Sequence, residues 1–447
     1  MSYFNRKLNT QLTSAFDLLL QLDGLTGLTY LYDQNNPIIA FSPKAFLIIE
    51  RSTLQQFDRI EFDQYQKSTT TSILEFTNLD PTSPPKANNV SFQGGYIGFF
   101  SYDYAAQLNI DNTIRSQPCF FLGKYQTFLK FQNNAWYFHS DEDEAQYIYD
   151  QICHRLEQPQ KNVKLNLVSK CHPRWSKQQY MDAFDEVQEY IKAGDCYQIN
   201  LTQEFKAKVE GSLLSQAQVL WDLTHAPYAG YLNISNFELL SCSPELFIEF
   251  QAERKIKTRP IKGTMPRFND PKQDQISKNK LSQSEKDQAE NVMIVDLLRN
   301  DLSVYAETGS VETTKLFEIE SFNQVHHMVS EITATLKEEI NPMQMLLSAL
   351  PGGSITGAPK IRAMQIIEEL EGAPRGAYCG SLGYFNFDGT GRWNILIRSI
   401  QKYQNELSIW AGGGITIASD AEAEYQECFD KISAMIDLLN TWQQSEK

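Results

Sequence analysis

Helix-type and strand-type patterns follow one another in this chain without the regular β-α-β alternation that a parallel sheet requires, which confines the fold to the α+β class. From Leu28 to about His139 strand patterns dominate: the apolar run Leu47-Ile48-Ile49, the glycine-rich stretch Gly94–Asp103, and a hairpin of Tyr125–Phe131 with Ala135–His139. Asp141–Glu144 is an acidic run predicted to open a solvated helix. Polar and basic residues with Pro159 and Pro173 fill Gln158–Arg174. The chain is therefore divided there into a strand-rich N-terminal region, 1–157, and a second region, 174–442.

In the second region Ser176 opens a helix, with Gln179 completing a capping box and Gly194 ending it. Cys196–Phe205 then alternates. Tyr197, Ile199 and Leu201 oppose Gln198, Asn200 and Thr202, a face that either lines a polar pocket or meets water. A polar, lysine-rich loop is predicted at Phe268–Ser282, followed by a helix from Ser284 to about Asn300. Tyr378–Phe387 and Trp393–Lys402 read as two strands joined by a short loop. Ser419 with Glu422 predicts the cap of a last helix running to about Trp442.

Three stretches carry candidate chemistry. In Thr258–Arg267, Pro260 and Gly263 bracket Lys262, so a lysine on a stiff segment can serve as an anion binder or an amine nucleophile, or simply stand solvated beside a turn. Glu245 starts a strand 17 residues earlier. Antiparallel pairing of that strand with Lys255–Thr258 brings carboxyl and amine toward each other, whether as a site or as an ordinary ion pair. Leu350–Lys360 is a glycine-rich loop entering a helix at Pro359, which offers free N–H groups to a phosphate or a carboxylate. Beyond these, Arg398 amid apolar neighbours needs a carboxylate partner. Ala411–Ile415 offers backbone that another group can approach closely.

A net charge of −15 argues against wrapping nucleic acid but leaves room for a locally cationic site. The N-terminus does not read as a signal peptide, and no apolar run reaches membrane-spanning length. Seven dispersed cysteines without a C-x-x-C pair fit reduced thiols in a cytoplasm. None sits in a Gly-x-Cys-x-Gly elbow, so the chain shows no cysteine-dependent amide-hydrolysing site.

Together, Pro260–Thr264, Glu290-Asn291 with Ile294–Asp301, Pro351–Lys360, and Tyr425-Gln426-Glu427 with Lys431 resemble the chorismate-utilising enzymes, and the resemblance runs from about Ser176 to the last helix. It implies two stacked antiparallel sheets with helices outside. It also implies a Mg²⁺ held by Glu290 and Glu427, with Asp287 and Glu424 beyond them. Tyr378, Arg398 and the Gly413–Gly414 backbone would take the enolpyruvyl carboxylate; Lys431 and Thr356 would support other polar groups, and His327 would lie near the ring. In this family an alanine at the Lys262 position goes with anthranilate formation, and a lysine at the Gln198 position with activation of water. Lys262 with Gln198 implies amination of chorismate to 4-amino-4-deoxychorismate, toward p-aminobenzoate and folate. Lys262 would be the nucleophile and Glu245 the acid, with ammonia supplied by a glutamine amidotransferase subunit. The alternatives are an anthranilate-forming member and a catalytically silent subunit that activates a glutaminase.

Overall fold

The structure, a computed structural model, describes residues 3–50, 52–79, 90–159, 163–322 and 325–443. Among these, two sheets of 13 and 12 strands form, and every strand pairing within them is antiparallel. The expected α+β architecture of two antiparallel sheets is thus present. Both sheets draw strands from either side of the Gln158–Arg174 stretch. Leu28–Leu31 pairs with Tyr228–Ile234 in one sheet, and Gly95–Phe100 with Ser381–Asn386 in the other.

The sheets face each other across a closely packed interior. Phe99 of one stacks on Phe237 of the other with ring centroids 5.3 Å apart. A Cβ on Gly230 would come within 2.9 Å of Leu382 across the gap, so the side chains of the two layers interdigitate. Asp33 is buried there and takes hydrogen bonds from Tyr384, at 2.9 Å, and from Arg392, which compensate its charge.

Several local expectations hold. Ser176 and Gln179 form the capping box of Lys177–Ala193, and Gly194 ends that helix at φ 82°. Leu246–Phe250 and Lys255–Arg259 pair antiparallel, and the hairpin Thr127–Gln132/Ala135–Ser140 forms.

Others are corrected. The predicted loop at Phe268–Ser282 is mostly helix, Pro271–Ser282, capped by Asp270 with Pro271 in its first turn. Only Ser277 and Leu281 of it are buried, so no apolar stripe announced it. The acidic run Asp141–Glu144 is not simply solvated, because Glu142 is buried against Arg59. The last helix is two, Ala421–Asp430 and Ser433–Asn440, and its cap is Asp420 rather than Ser419.

The correction with most consequence concerns Trp393–Lys402. Gly391–Asn394 belongs to one sheet and Ser399–Tyr403 to the other, and the chain crosses between them through Ile395–Arg398. A second crossing lies at Pro244-Glu245, between Phe237–Ser243 and Leu246–Phe250. The crossings are bonded to each other: Ser243 Oγ donates to the Ile395 carbonyl at 2.6 Å, and the Cys242 N–H donates to that of Arg398 at 3.1 Å.

Candidate active site

Both crossings open onto one cavity of about 540 Å³. Its walls come from the crossings, the strands Ile261–Pro266 and Glu406–Thr416, the helices Glu285–Ser303 and Ala421–Asp430, and the turn Gly353–Ile355. Ten of the residues expected from sequence line it: Glu245, Lys262, Glu290, His327, Tyr378, Arg398, Gly413, Gly414, Glu427 and Lys431.

Lys262 owes its direction to Gly263. The pairing of Ile261–Pro266 with Val325–Thr335 slips at that residue, so Lys262 opposes Met328 while Thr264 opposes His327. Gly263 has φ 76°, and a Cβ there would come within 2.9 Å of the Asp287 carboxyl carbon, so this bulge is open to glycine alone. The Lys262 ammonium donates to the Ser354 carbonyl at 3.5 Å. Burial draws its pKa below the ordinary lysine value, and Glu290 pulls in the opposite direction.

Glu245 is 6% exposed. Burial raises its pKa to about 7 against the opposing pull of Lys262 and a hydrogen bond from Ser354, so the site holds a carboxyl able to give a proton near neutrality. His327 accepts or donates at Nδ1 with the Thr264 hydroxyl at 2.9 Å; burial, followed by Arg398, lowers its pKa to about 4, leaving a neutral imidazole.

Arg398 sits in the Ile395–Arg398 crossing at φ 49°, and no ion pair to it forms among the described residues. A partly buried guanidinium without a protein acid is suited to an anionic ligand. Tyr378, in a turn ahead of its expected strand, stacks on Trp410 with centroids 6.0 Å apart.

One wall is acidic. Glu290, Asp287, Glu424 and Glu427 all line the cavity, interleaved with Lys286 and Lys431. Burial pushes Glu290 and Glu424 above the usual carboxylate range. Glu427 is pushed the same way by burial, but Lys431 at 2.6 Å outweighs that and holds it low. Lys286 reaches Glu424 at 3.7 Å. Both carboxylates lie directly over Gly413, where a Cβ would stand 2.8 Å from Glu424 and 3.3 Å from Glu427.

Two expected residues lie elsewhere. Thr356 is fully buried, and its hydroxyl turns back to the Gly352 carbonyl at 3.1 Å, tightening the glycine-rich loop. Gln198 is buried behind Gly414, its Nε2 1.9 Å from where a Cβ would be, and does not line the cavity. Residues not singled out from sequence include Ser354, Thr264, Trp410 and Lys286. Ser354 and Thr264 lie inside stretches singled out from sequence without being assigned a role, Lys286 stands four residues before Glu290 on one helix face, and Trp410 left no trace.

Two facing sheets around a cavity that gathers a lysine, a buried acid and a carboxylate cluster define an enzyme site for a small anionic substrate. Residues 26–437 match the family described as chorismate binding enzyme, and the chain belongs to that family. Aminodeoxychorismate synthase component 1 of Salmonella typhimurium is 40% identical over 365 residues, covering 80% of this chain and 79% of that protein. The protein of the same name from Escherichia coli is 39% identical over 375 residues, 82% and 81% of the two chains. Among solved structures, anthranilate synthase component I from Streptococcus pneumoniae superposes with a TM-score of 0.76 at 27% identity, covering 89% of this chain and 91% of its own.

Proposed function

We propose that the chain converts chorismate and ammonia to 4-amino-4-deoxychorismate and water, on the way to p-aminobenzoate and folate, in the cytoplasm. The observation that carries this reading is one cavity shared by Lys262, Glu245 and an Arg398 that has no acid partner among the described residues.

Glu245 in its acid form gives its proton to the leaving 4-hydroxyl as the neutral Lys262 amine adds at ring C2. The two double bonds move along the ring, and water departs. Ammonia then adds at C4, the double bonds return, and the Lys262 nitrogen leaves C2 with its bonding pair. The Glu245 carboxylate collects the proton that the new C4 nitrogen sheds, so atoms and charge balance over the cycle. The lowered pKa of Lys262 and the raised pKa of Glu245 are both in the direction these roles demand. Arg398 and the Gly413–Gly414 backbone hold the enolpyruvyl carboxylate, so that the side chain is retained.

The acidic wall fits Mg²⁺, since its donors are carboxylate oxygens with no thiolate among them. No group of three or more His, Cys, Asp or Glu side chains among the described residues converges on a metal by itself. Glu290 and Glu427 would therefore hold the ion together with substrate and water. When bound, Mg²⁺ supplies charge neutralisation for the ring carboxylate. The relatives' designation as component 1 supports a second subunit, which we assign as a glutaminase supplying ammonia.

The test is mass-resolved product analysis after incubation with chorismate, Mg²⁺ and an ammonium salt. A product with nitrogen in place of the ring hydroxyl and the side chain intact is expected. Release of pyruvate with fluorescent anthranilate, or no consumption of chorismate, would overturn the reading.

A further inference from the structure

The turn Gly353–Ile355 presents one residue to both reacting groups. Ser354 is 8% exposed; its Oγ donates to Glu245 Oε1 at 3.3 Å, and its carbonyl oxygen accepts from Lys262 Nζ at 3.5 Å. Packing on both sides holds the turn in place. A Cβ on Gly353 would stand 2.4 Å from Leu297 of the helix Glu285–Ser303. A Cβ on Gly352 would stand 3.0 Å from Ile395 and 3.1 Å from Phe247. The Thr356 hydroxyl bonds back to Gly352 and Gly353 at 3.1 and 3.4 Å. The turn is thus wedged between the helix that carries Glu290 and the crossing that carries Arg398.

We propose that Ser354 is a positioning residue that sets the proton of Glu245 and the lone pair of Lys262 toward the same point in the cavity. A hydroxyl donating to Oε1 makes Oε2 the oxygen that keeps the acidic proton, directed away from Ser354. A neutral amine that still gives one N–H to the Ser354 carbonyl must turn its lone pair away from that carbonyl. One residue on a rigid turn therefore fixes both reactants, which is worth more than fixing either alone because the acid and the nucleophile act in the same step. The other groups facing Glu245 are the Ile261 backbone N–H, the Lys262 and Lys431 ammoniums and the Cys379 thiol, and Ser354 is the side chain that donates to Oε1 among the described residues.

This inference rests on the amination reading above, and the wild-type chain keeps the two apart. If wild type makes no aminated product from chorismate and ammonium salt, that reading fails. If wild type does and the variants below behave otherwise than stated, only the role of Ser354 fails. Ser354→Ala should lower kcat about tenfold or more while KM for chorismate changes less than about twofold. It should also move the alkaline limb of kcat to higher pH, because the charged form of Glu245 loses a donor. Ser354→Thr, which keeps the hydroxyl, should restore kcat to within about threefold of wild type. Where alanine fails to fold, Ser354→Cys retains bulk with a weaker donor and carries the same expectations. An unchanged kcat, a KM that rises while kcat holds, or a threonine variant as slow as the alanine one would each overturn the assignment.

Discussion

Ile395 donates its backbone N–H to the Glu245 carbonyl at 3.1 Å, joining the two points where the chain passes from one sheet to the other. Strand ends are ordinarily free to vary. Here each crossing is held by the other, so Glu245 and Arg398 enter the cavity from a cross-braced pair of segments.

Arg398 is expensive to keep there. Its φ of 49° is a left-handed conformation that costs a non-glycine residue about 1 kcal/mol or more, and its guanidinium has no acid partner among the described residues. Arg398→Gly is therefore expected to leave the thermal unfolding midpoint unchanged or higher while raising KM for chorismate at least about tenfold. Equilibrium melting and steady-state kinetics on the same preparation check both halves. A lower unfolding midpoint with KM unchanged would show that the arginine serves the fold instead.

How much of this was legible beforehand divides along a physical line. Lys262, Gly263, the glycine-rich loop and the carboxylates of two helices stood out because proline, glycine and charge punctuate a sequence locally. The crossings did not, because the apolar run Ile395-Leu396-Ile397 continues a strand pattern through the break, and periodicity cannot say which sheet a strand joins. Thr356 and Gln198 show a related failure. Both are polar residues beside the site, and burial alone decides that one satisfies its own loop and the other packs behind Gly414. Trp410 carried no signal at all, being an aromatic within a strand.

Glu245 ties activity and stability to pH. With a pKa of about 7 in the folded chain, against an ordinary glutamate value of 4.5, the native state holds a proton that the unfolded chain has lost across that interval. Its contribution is complete below the unfolded value and disappears as pH rises through about 7. Glu245→Gln stays neutral throughout. It should match wild type in acid and exceed it by roughly 2–3 kcal/mol near pH 8, as read by urea unfolding at the two pH values. The same variant should lose at least about a hundredfold in kcat, since glutamine gives no proton.

Lys262→Ala should abolish a covalent enzyme–substrate adduct, detectable by intact-protein mass after rapid quenching, and slow turnover at least about tenfold. Lys262→Arg keeps the charge but offers no nucleophile at neutral pH, so it should be as slow as alanine. Unchanged turnover in either variant would remove Lys262 from the chemistry.

For the acidic wall, Glu290→Gln and Glu427→Gln should each weaken Mg²⁺ binding at least about tenfold by titration calorimetry, in the absence of substrate. Lys431→Met should strengthen it, because the ammonium that now meets Glu427 at 2.6 Å competes with a cation for the same carboxylate. Weaker binding in Lys431→Met would mean that the lysine orients Glu427 for the ion.

The source of ammonia can be argued from the thiols. All seven cysteines are unpaired, and burial raises Cys119, Cys171, Cys242, Cys379 and Cys428 to a pKa of about 12 and Cys196 to about 11. A glutaminase nucleophile needs thiolate near neutrality, and these six sites suppress it. The chain alone should therefore consume chorismate with an ammonium salt but leave glutamine untouched. Its rate with ammonium salt should rise with pH in step with free NH₃ until the loss of protonated Glu245 overtakes it. A coupled glutamate assay decides the matter, because glutamate formation by the isolated chain would place amide hydrolysis on this polypeptide and dispense with a second subunit.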